Sequence, residues 1–264
     1  MEYSTAIQHL IPFVMTKYET HEHAASQKTA EFLASQTSEK LGCTKGCGAC
    51  CHFPLVPVTA GEAFVLLNRV LAEGTPLEEL AKKLFHYVEK YFNFVQSKGR
   101  LPFLDRDQKK FLAQLLPCPF FVKENTSQFA GHCGIYGMRP LICEFYNSID
   151  SPKLCEQKLG HRSIEAVIMN GSHIQDNLRD FERKLLGRST LGHLPLLLAA
   201  LCTQEGLQCF LEEKHLTDEE LKEEFAQEIH DFSLYAEMLN SIGYSLSEND
   251  MKALEEAQSE MMRD

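Results

Sequence analysis

Apolar residues near the start of the chain recur at helical spacing: Ile7, Leu10, Ile11, Val14 and Tyr18, then Phe32 and Leu33 continuing toward Leu41. The pattern predicts one long helix or two short ones. Thr59 followed by Glu62 is a capping box opening a helix through about Leu71. Thr75-Pro76-Leu77-Glu78 opens the next, with Leu77, Leu80, Leu84, Val88, Tyr91 and Val95 on one face. A helix from Asp105 to Leu116 stops at Pro117-Cys118-Pro119, because proline removes donors and restricts the residue before it. The glycine-rich stretch that follows reads as an irregular or hairpin segment, leading to a short helix near Leu141 to Tyr146.

Asn170-Gly171 reads as a turn, with residues 172 to 175 capping a helix that carries Ile174, Leu178, Phe181 and Leu185 inward. Thr217-Asp218-Glu219-Glu220 caps another, with Leu221, Phe225, Ile229, Phe232 and Leu239 inward, and Ser247 starts a last one. The expected fold is therefore mainly α, with an irregular cysteine-rich metal-binding core held between helices and few short strands. Three regions follow: N-terminal helices over 1–40, a cysteine-cluster domain with inserted helices over 41–160, and a C-terminal helical region with an acidic tail over 161–264.

The longest apolar run, Leu194 to Cys202 with Pro195 inside it, is about half of a bilayer span, so no membrane helix is expected. The N-terminal stretch has neither a basic region nor a small-residue cleavage site, which argues against a secretory signal and for a cytoplasmic protein. In that compartment thiols stay reduced, which favours metal or redox roles for cysteine over structural disulfides. Net charge is −11, but residues 211–264 hold 16 acidic against 4 basic residues, a net of −12 that leaves +1 for the rest. That balance leaves no electrostatic footprint for nucleic acid or an anionic membrane, and the tail reads as a solvated face. Another protein remains as a candidate partner.

Eight of the ten cysteines stand at 43, 47, 50, 51, 118, 133, 143 and 155. The first four fit C-x3-C-x2-C-C, a spacing that lets a chain curl around one ion, with Gly46 and Gly48 easing the turns. Backbone N–H groups in such turns can bond to sulfur. Cys51 is the extra thiol, expected to serve a second ion, bridge two, or stay free. Cys47-Gly48-Ala49-Cys50 resembles a thioredoxin-type C-x-x-C but lacks its βαβ setting. Position 51 is not the histidine that c-type haem needs, and the strands of a radical-SAM barrel are missing. A zinc ribbon would need a second C-x2-C knuckle.

Cys118, Cys133, Cys143 and Cys155 lie 10 to 15 residues apart, so separate loops must converge, which suits an iron–sulfur cluster or a multi-zinc site. Lys45, Arg139 and Lys153 supply cations near an anionic thiolate set, and His52 and His132 are candidates to complete a site. His21 and His23 read as exposed, and Cys202 and Cys209 as buried hydrophobes on apolar helices.

CTKGCGACCH at 43–52, CPFF at 118–121 and GHCGIYGMRPLICEFY at 131–146 together resemble the YkgJ-like cysteine-cluster family, a zinc- or iron-chelating domain with a CxxCxxCC signature. The signature differs here by having three residues between Cys43 and Cys47. The resemblance covers roughly residues 40 to 157. It implies Cys43, Cys47, Cys50, Cys51, Cys118, Cys133 and Cys143 as metal ligands, with Cys155 fitting the trailing cysteine. It also places Tyr136, Arg139 and Pro140 between ligands, with Arg139 and Tyr136 as weaker candidates to touch a cofactor. The implied cofactor is an iron–sulfur cluster, slightly preferred, or zinc. One branch of relatives, flagellin lysine N-methylases, makes an iron–sulfur-dependent protein-modifying enzyme one alternative. A zinc-stapled protein-interaction module is the other.

Overall fold

In a computed structural model, the described residues are 5–36, 40–43, 47–52, 56–98, 116–124, 131–145, 147–151, 154, 162–212, 233–248 and 250. The centre of the fold is a helix apolar on every side, α6 (Leu194–Leu201), all of whose residues are buried. Pro195 sits in its first turn, where a backbone N–H has no intrahelical partner to lose. Fully burying one leucine is worth about 1.5–3 kcal/mol. The five leucines of α6 therefore supply a driving force comparable to the roughly 5–15 kcal/mol net stability of a whole domain.

Three helices enclose α6: α2 (Ala60–Ala72), α3 (Leu77–Lys98) and α7 (Gln204–Leu211). The N-terminal residues form one helix, α1 (Thr5–Ser35), which packs along α5 (Glu165–Leu186). A five-residue helix, α4 (Leu141–Phe145), rests on both. One apolar cluster runs through this framework, drawing on residues from Ile7 to Tyr244. Residues 233–240 add a further helical segment that buries Leu234, Tyr235, Met238 and Leu239.

Two small antiparallel pairs serve as clasps. β1 (Pro57–Thr59) pairs with β4 (Leu191–His193) in the register Pro57 to His193, Val58 to Gly192, Thr59 to Leu191. β1 leads straight into α2 and β4 straight into α6, so the pair fixes the starts of both helices side by side. β2 (Phe121–Lys123) pairs with β3 (Gly131–Cys133), giving the hairpin expected between Pro119 and Pro140.

Helix starts follow the sequence signals closely. The Thr59 hydroxyl accepts the Glu62 N–H at 3.0 Å, and the Glu62 carboxyl takes the Thr59 amide in return. Ser247 and Asp250 exchange the same two bonds, at 2.9 and 3.2 Å. On α3 the expected inward face is buried except Leu77, which lies in the first turn and is 48% exposed. The helix expected over 105–116 falls outside the described residues apart from buried Leu116, and of the helix expected from Thr217 through Leu239 only residues 233–239 are described, helical and with Leu239 buried.

Two expectations are corrected. Asn170-Gly171 is not a turn but lies inside α5, which starts at Glu165. Gly171 is there because the Phe145 ring of α4 presses against it, and a Cβ would overlap that ring. His21 is not exposed: it is buried, edge-on to Phe145, with Nδ1 3.1 Å from the Asn170 side-chain amide. Burial lowers its pKa to about 4. His23 is exposed, as read.

A second histidine is buried between α6 and α3. The Val56 N–H donates to His193 Nδ1 at 3.1 Å, which leaves the ring proton on Nε2, 2.8 Å from the Tyr87 hydroxyl. Burial lowers the His193 pKa to about 3. The folded chain keeps this ring neutral where the unfolded chain, with an ordinary histidine pKa near 6.5, takes up a proton. Its contribution to stability is thus whole above about pH 6.5 and is lost as pH falls toward 3, at up to about 1.4 kcal/mol per pH unit. His193→Asn, which retains an acceptor for Val56 but does not titrate, is expected to flatten this acid limb in denaturant titrations run from pH 7 to 4.

Candidate metal centre

The first cysteine segment is held at both ends by main chain. The Gly42 and Cys43 amides donate to the Ser148 carbonyl at 2.8 and 3.1 Å, and the Ser148 N–H donates to Cys43 Sγ at 3.1 Å. Gly42 is required by that approach, since a Cβ there would run into the Asp150 carbonyl. Residues Ala49–His52 form a 3-10 turn, closed by the Cys51 N–H on the Gly48 carbonyl at 3.0 Å. Gly48 does not have a positive φ; it is needed because a Cβ would strike the Phe121 ring and sit 2.9 Å from the Gly131 carbonyl oxygen.

The second segment docks onto the first by one backbone bond, Cys118 N–H to the Cys51 carbonyl at 2.6 Å. Two prolines flank Cys118, and the turn they make closes through Phe121 N–H to the Cys118 carbonyl at 2.9 Å. In the β2–β3 register Cys133 lies opposite Phe121. Side chains alternate along a strand, so Cys133 faces the other thiols while its neighbour His132 faces outward, bonded to Glu124 at 2.6 Å. A 3-10 turn, Tyr136–Met138, then leads through Arg139 and Pro140 into α4, which carries Cys143.

These connections gather seven of the eight candidate ligands, none of them in a disulfide. Cys51 is buried, with its thiol in hydrogen-bonding contact with the sulfurs of both Cys50 and Cys133, to one of which its single proton is donated at a time. Cys43 stands beside Cys47 and Cys50, and Cys143 feels the charges of Cys50, Cys118 and Cys133. Cys155, Lys45, Gly46 and Lys153 lie outside the described residues. Cys202 and Cys209 pack against the main core instead, partly buried. Among the described residues, no group of three or more Cys, His, Asp or Glu side chains is arranged closely enough to hold a metal ion.

The electrostatics oppose ionising all the thiols without a cation. Burial pushes Cys118 up to about 12 and Cys143 well above the ordinary thiol range, and nearby thiolates add to both shifts. Cys43 is raised by burial and Cys51 by its contacts with the Cys133 and Cys50 sulfurs, which favour the protonated thiol. Cys133 moves the other way, to about 7, because it accepts from Cys51 and from the Ile135 N–H and sits near Arg139. Backbone N–H groups of Phe120, Ile135 and Ser148 thus aim at Cys118, Cys133 and Cys43.

Arg139 acts favourably on Cys43, Cys50, Cys133 and Cys143 together. Its guanidinium lies 4.0 Å over the exposed Tyr136 ring, and its buried Nε makes no hydrogen bond among the described residues. His52 is buried against the Phe121 ring, 4.9 Å between centroids. The donor set fits a soft or borderline metal: clustered thiols, amides aimed at sulfur, and one cation to offset the negative charge.

Glu62 was legible in the sequence only as half of a capping box. It also reaches across to the metal-centre side of the molecule, accepting the Leu141 N–H at 2.7 Å. No local signal marks a contact between residues so far apart in sequence.

Residues 42–165 match the family model CxxCxxCC, described as a "putative zinc- or iron-chelating domain". No curated protein and no solved structure gives a match to the chain. Gly48→Ala is expected to cost about 1–3 kcal/mol by overpacking, measured by denaturant unfolding. Gly137→Ala, where nothing lies within 4 Å of the added carbon, is the control and should stay within about 0.5 kcal/mol.

Proposed function

From the match of residues 42–165 to the CxxCxxCC family model, we propose that this chain is a cytoplasmic metal-binding protein whose cysteines hold an iron–sulfur cluster in preference to zinc. Cys43, Cys47, Cys50, Cys51, Cys118, Cys133 and Cys143 are the ligand set from which the centre draws, with Cys155 as a further member. The observation that carries the reading is the convergence of seven thiols from three separate stretches of chain, with backbone amides directed at sulfur.

A cluster bound here would supply electron transfer or Lewis acidity, and its potential would respond to those amides and to Arg139. Arg139 offsets the negative charge of the thiolates, and Tyr136 holds the guanidinium in place from the solvent side. More than four thiols are present, and a single tetrahedral zinc uses four. A single iron–sulfur cluster likewise uses four, so the surplus favours more than one ion or cluster, and a second one gives Cys51 a role.

Anaerobic purification followed by metal and sulfide analysis, visible absorption and electron paramagnetic resonance tests the reading. Iron and sulfide with visible absorption are expected. Whole-number, redox-silent zinc whose removal unfolds the cysteine segments would instead favour a zinc-stapled module whose helices bind a protein partner. A colourless, metal-free, folded protein would overturn both. Arg139→Gln is expected to lower the reduction potential of the bound centre, because an anionic centre loses a nearby cation and its oxidised form gains in relative stability; protein-film voltammetry measures the shift.

A further inference from the structure

Glu62 has no exposed surface, yet its carboxyl serves three separate parts of the chain. Oε1 accepts the Tyr18 hydroxyl of α1 and the Leu141 N–H of α4, each at 2.7 Å, and the carboxyl closes the capping box on Thr59 at the start of α2. A capping box by itself asks of its glutamate only the bond to the N-cap amide. Here, burial pushes the carboxyl pKa up, and the bonds from Tyr18, Leu141 and Thr59 pull it back.

α4 explains the arrangement. It has five residues, too few to persist alone, and its first N–H groups have no partners within the helix. Pro140 supplies its carbonyl to the Cys143 and Glu144 amides at 2.9 and 3.3 Å, which shapes the turn but does not locate it. Location comes from the Phe145 ring against α5 and from the bond that Glu62 makes to Leu141, two residues before Cys143. The two anchors flank Cys143 symmetrically, each two residues away along the chain, and the Glu62 bond is the one made by a side chain to the helix's first turn.

We infer that Glu62 is a positioning residue for the metal centre: by fixing the first turn of α4 to α2, it holds the Cys143 thiol facing Cys50, Cys118 and Cys133. The inference rests on the proposed metal-binding reading, and it assigns to a non-ligand the task of keeping one ligand in place. Outer-shell groups that orient ligands are worth about 10–100-fold in metal affinity.

The experiment is a double-mutant cycle on the full chain, with Co²⁺ as the probe under anaerobic conditions. Affinity is read from thiolate-to-cobalt charge-transfer absorption, and folding from far-UV circular dichroism and thermal melting. Glu62→Met, similar in volume but unable to accept, is expected to weaken Co²⁺ binding by about tenfold or more while staying folded. Glu62→Gln, which keeps the acceptor for Leu141, should stay within about threefold of the parent. In a Cys143→Ser background Glu62→Met should cost nothing further, because the thiol it positions is gone.

Equal losses in both backgrounds would overturn the positioning role and leave metal binding standing. So would unchanged affinity in a folded Glu62→Met chain. A parent chain that takes up no Co²⁺ would overturn the metal-binding reading and this inference with it. Should Glu62→Met not fold, Glu62→Asp, which withdraws the carboxyl by one methylene, takes its place in the same cycle with the same outcomes.

Discussion

A helix that is apolar on every side has to be enclosed, and α6 imposes that requirement on the rest of the chain. Its residues cannot meet water, so α2, α3 and α7 close around it. The antiparallel clasp between β1 and β4 then fixes where the chain enters α6, and Leu194 N–H bonds the Val56 carbonyl at 2.9 Å. Val56 lies just beyond the Cys50-Cys51 turn. The cysteine segments join the same apolar cluster through Leu116, Ile135, Met138, Leu141 and Phe145, and are thereby carried on the framework built around α6.

On that framework, the polar interior divides into two tasks. His193, Tyr87 and Tyr235 lie behind the clasp, and a neutral imidazole there satisfies the Val56 amide without placing a charge in the core. Glu62 and Glu182 lie on the other side, among α1, α2 and α5. Ser189 donates to Glu182 at 2.8 Å, and burial raises that carboxyl to about 8. Arg188, 1% exposed, pairs with Glu237 at 3.0 Å and donates to the Cys209 carbonyl, joining the end of α5 to the C-terminal helices.

What the sequence reveals depends on how local the cause is. Thr59 with Glu62, and Ser247 with Asp250, announce helix starts because the bonds they make span three residues. The inward face of α3 and the hairpin before Pro140 were legible for the same reason. Asn170-Gly171 misled because a turn dipeptide can also be demanded by a neighbour, in this case the Phe145 ring. His21 misled because two histidines two apart on a helix differ in burial according to what packs on each face, and the partners, Phe145 and Asn170, come from distant segments. The crowding of the seven described cysteines into turn-rich segments was legible. Their mutual arrangement, with Cys51 in contact with both Cys50 and Cys133, was not.

The links between the cysteine segments are mostly main chain to main chain: Cys118 to Cys51, Gly42 to Ser148, Gly134 to Phe120. Such bonds are indifferent to which side chains stand between the thiols. They depend on the count of residues, on glycine where two strands of chain nearly touch, and on proline where the path must turn. Most intervening side chains here are therefore replaceable without moving a sulfur, whereas inserting one residue between Cys47 and Cys51 would shift every later thiol in the turn. The centre is specified by spacing more than by chemistry, and substitutions can accumulate around it while its shape persists.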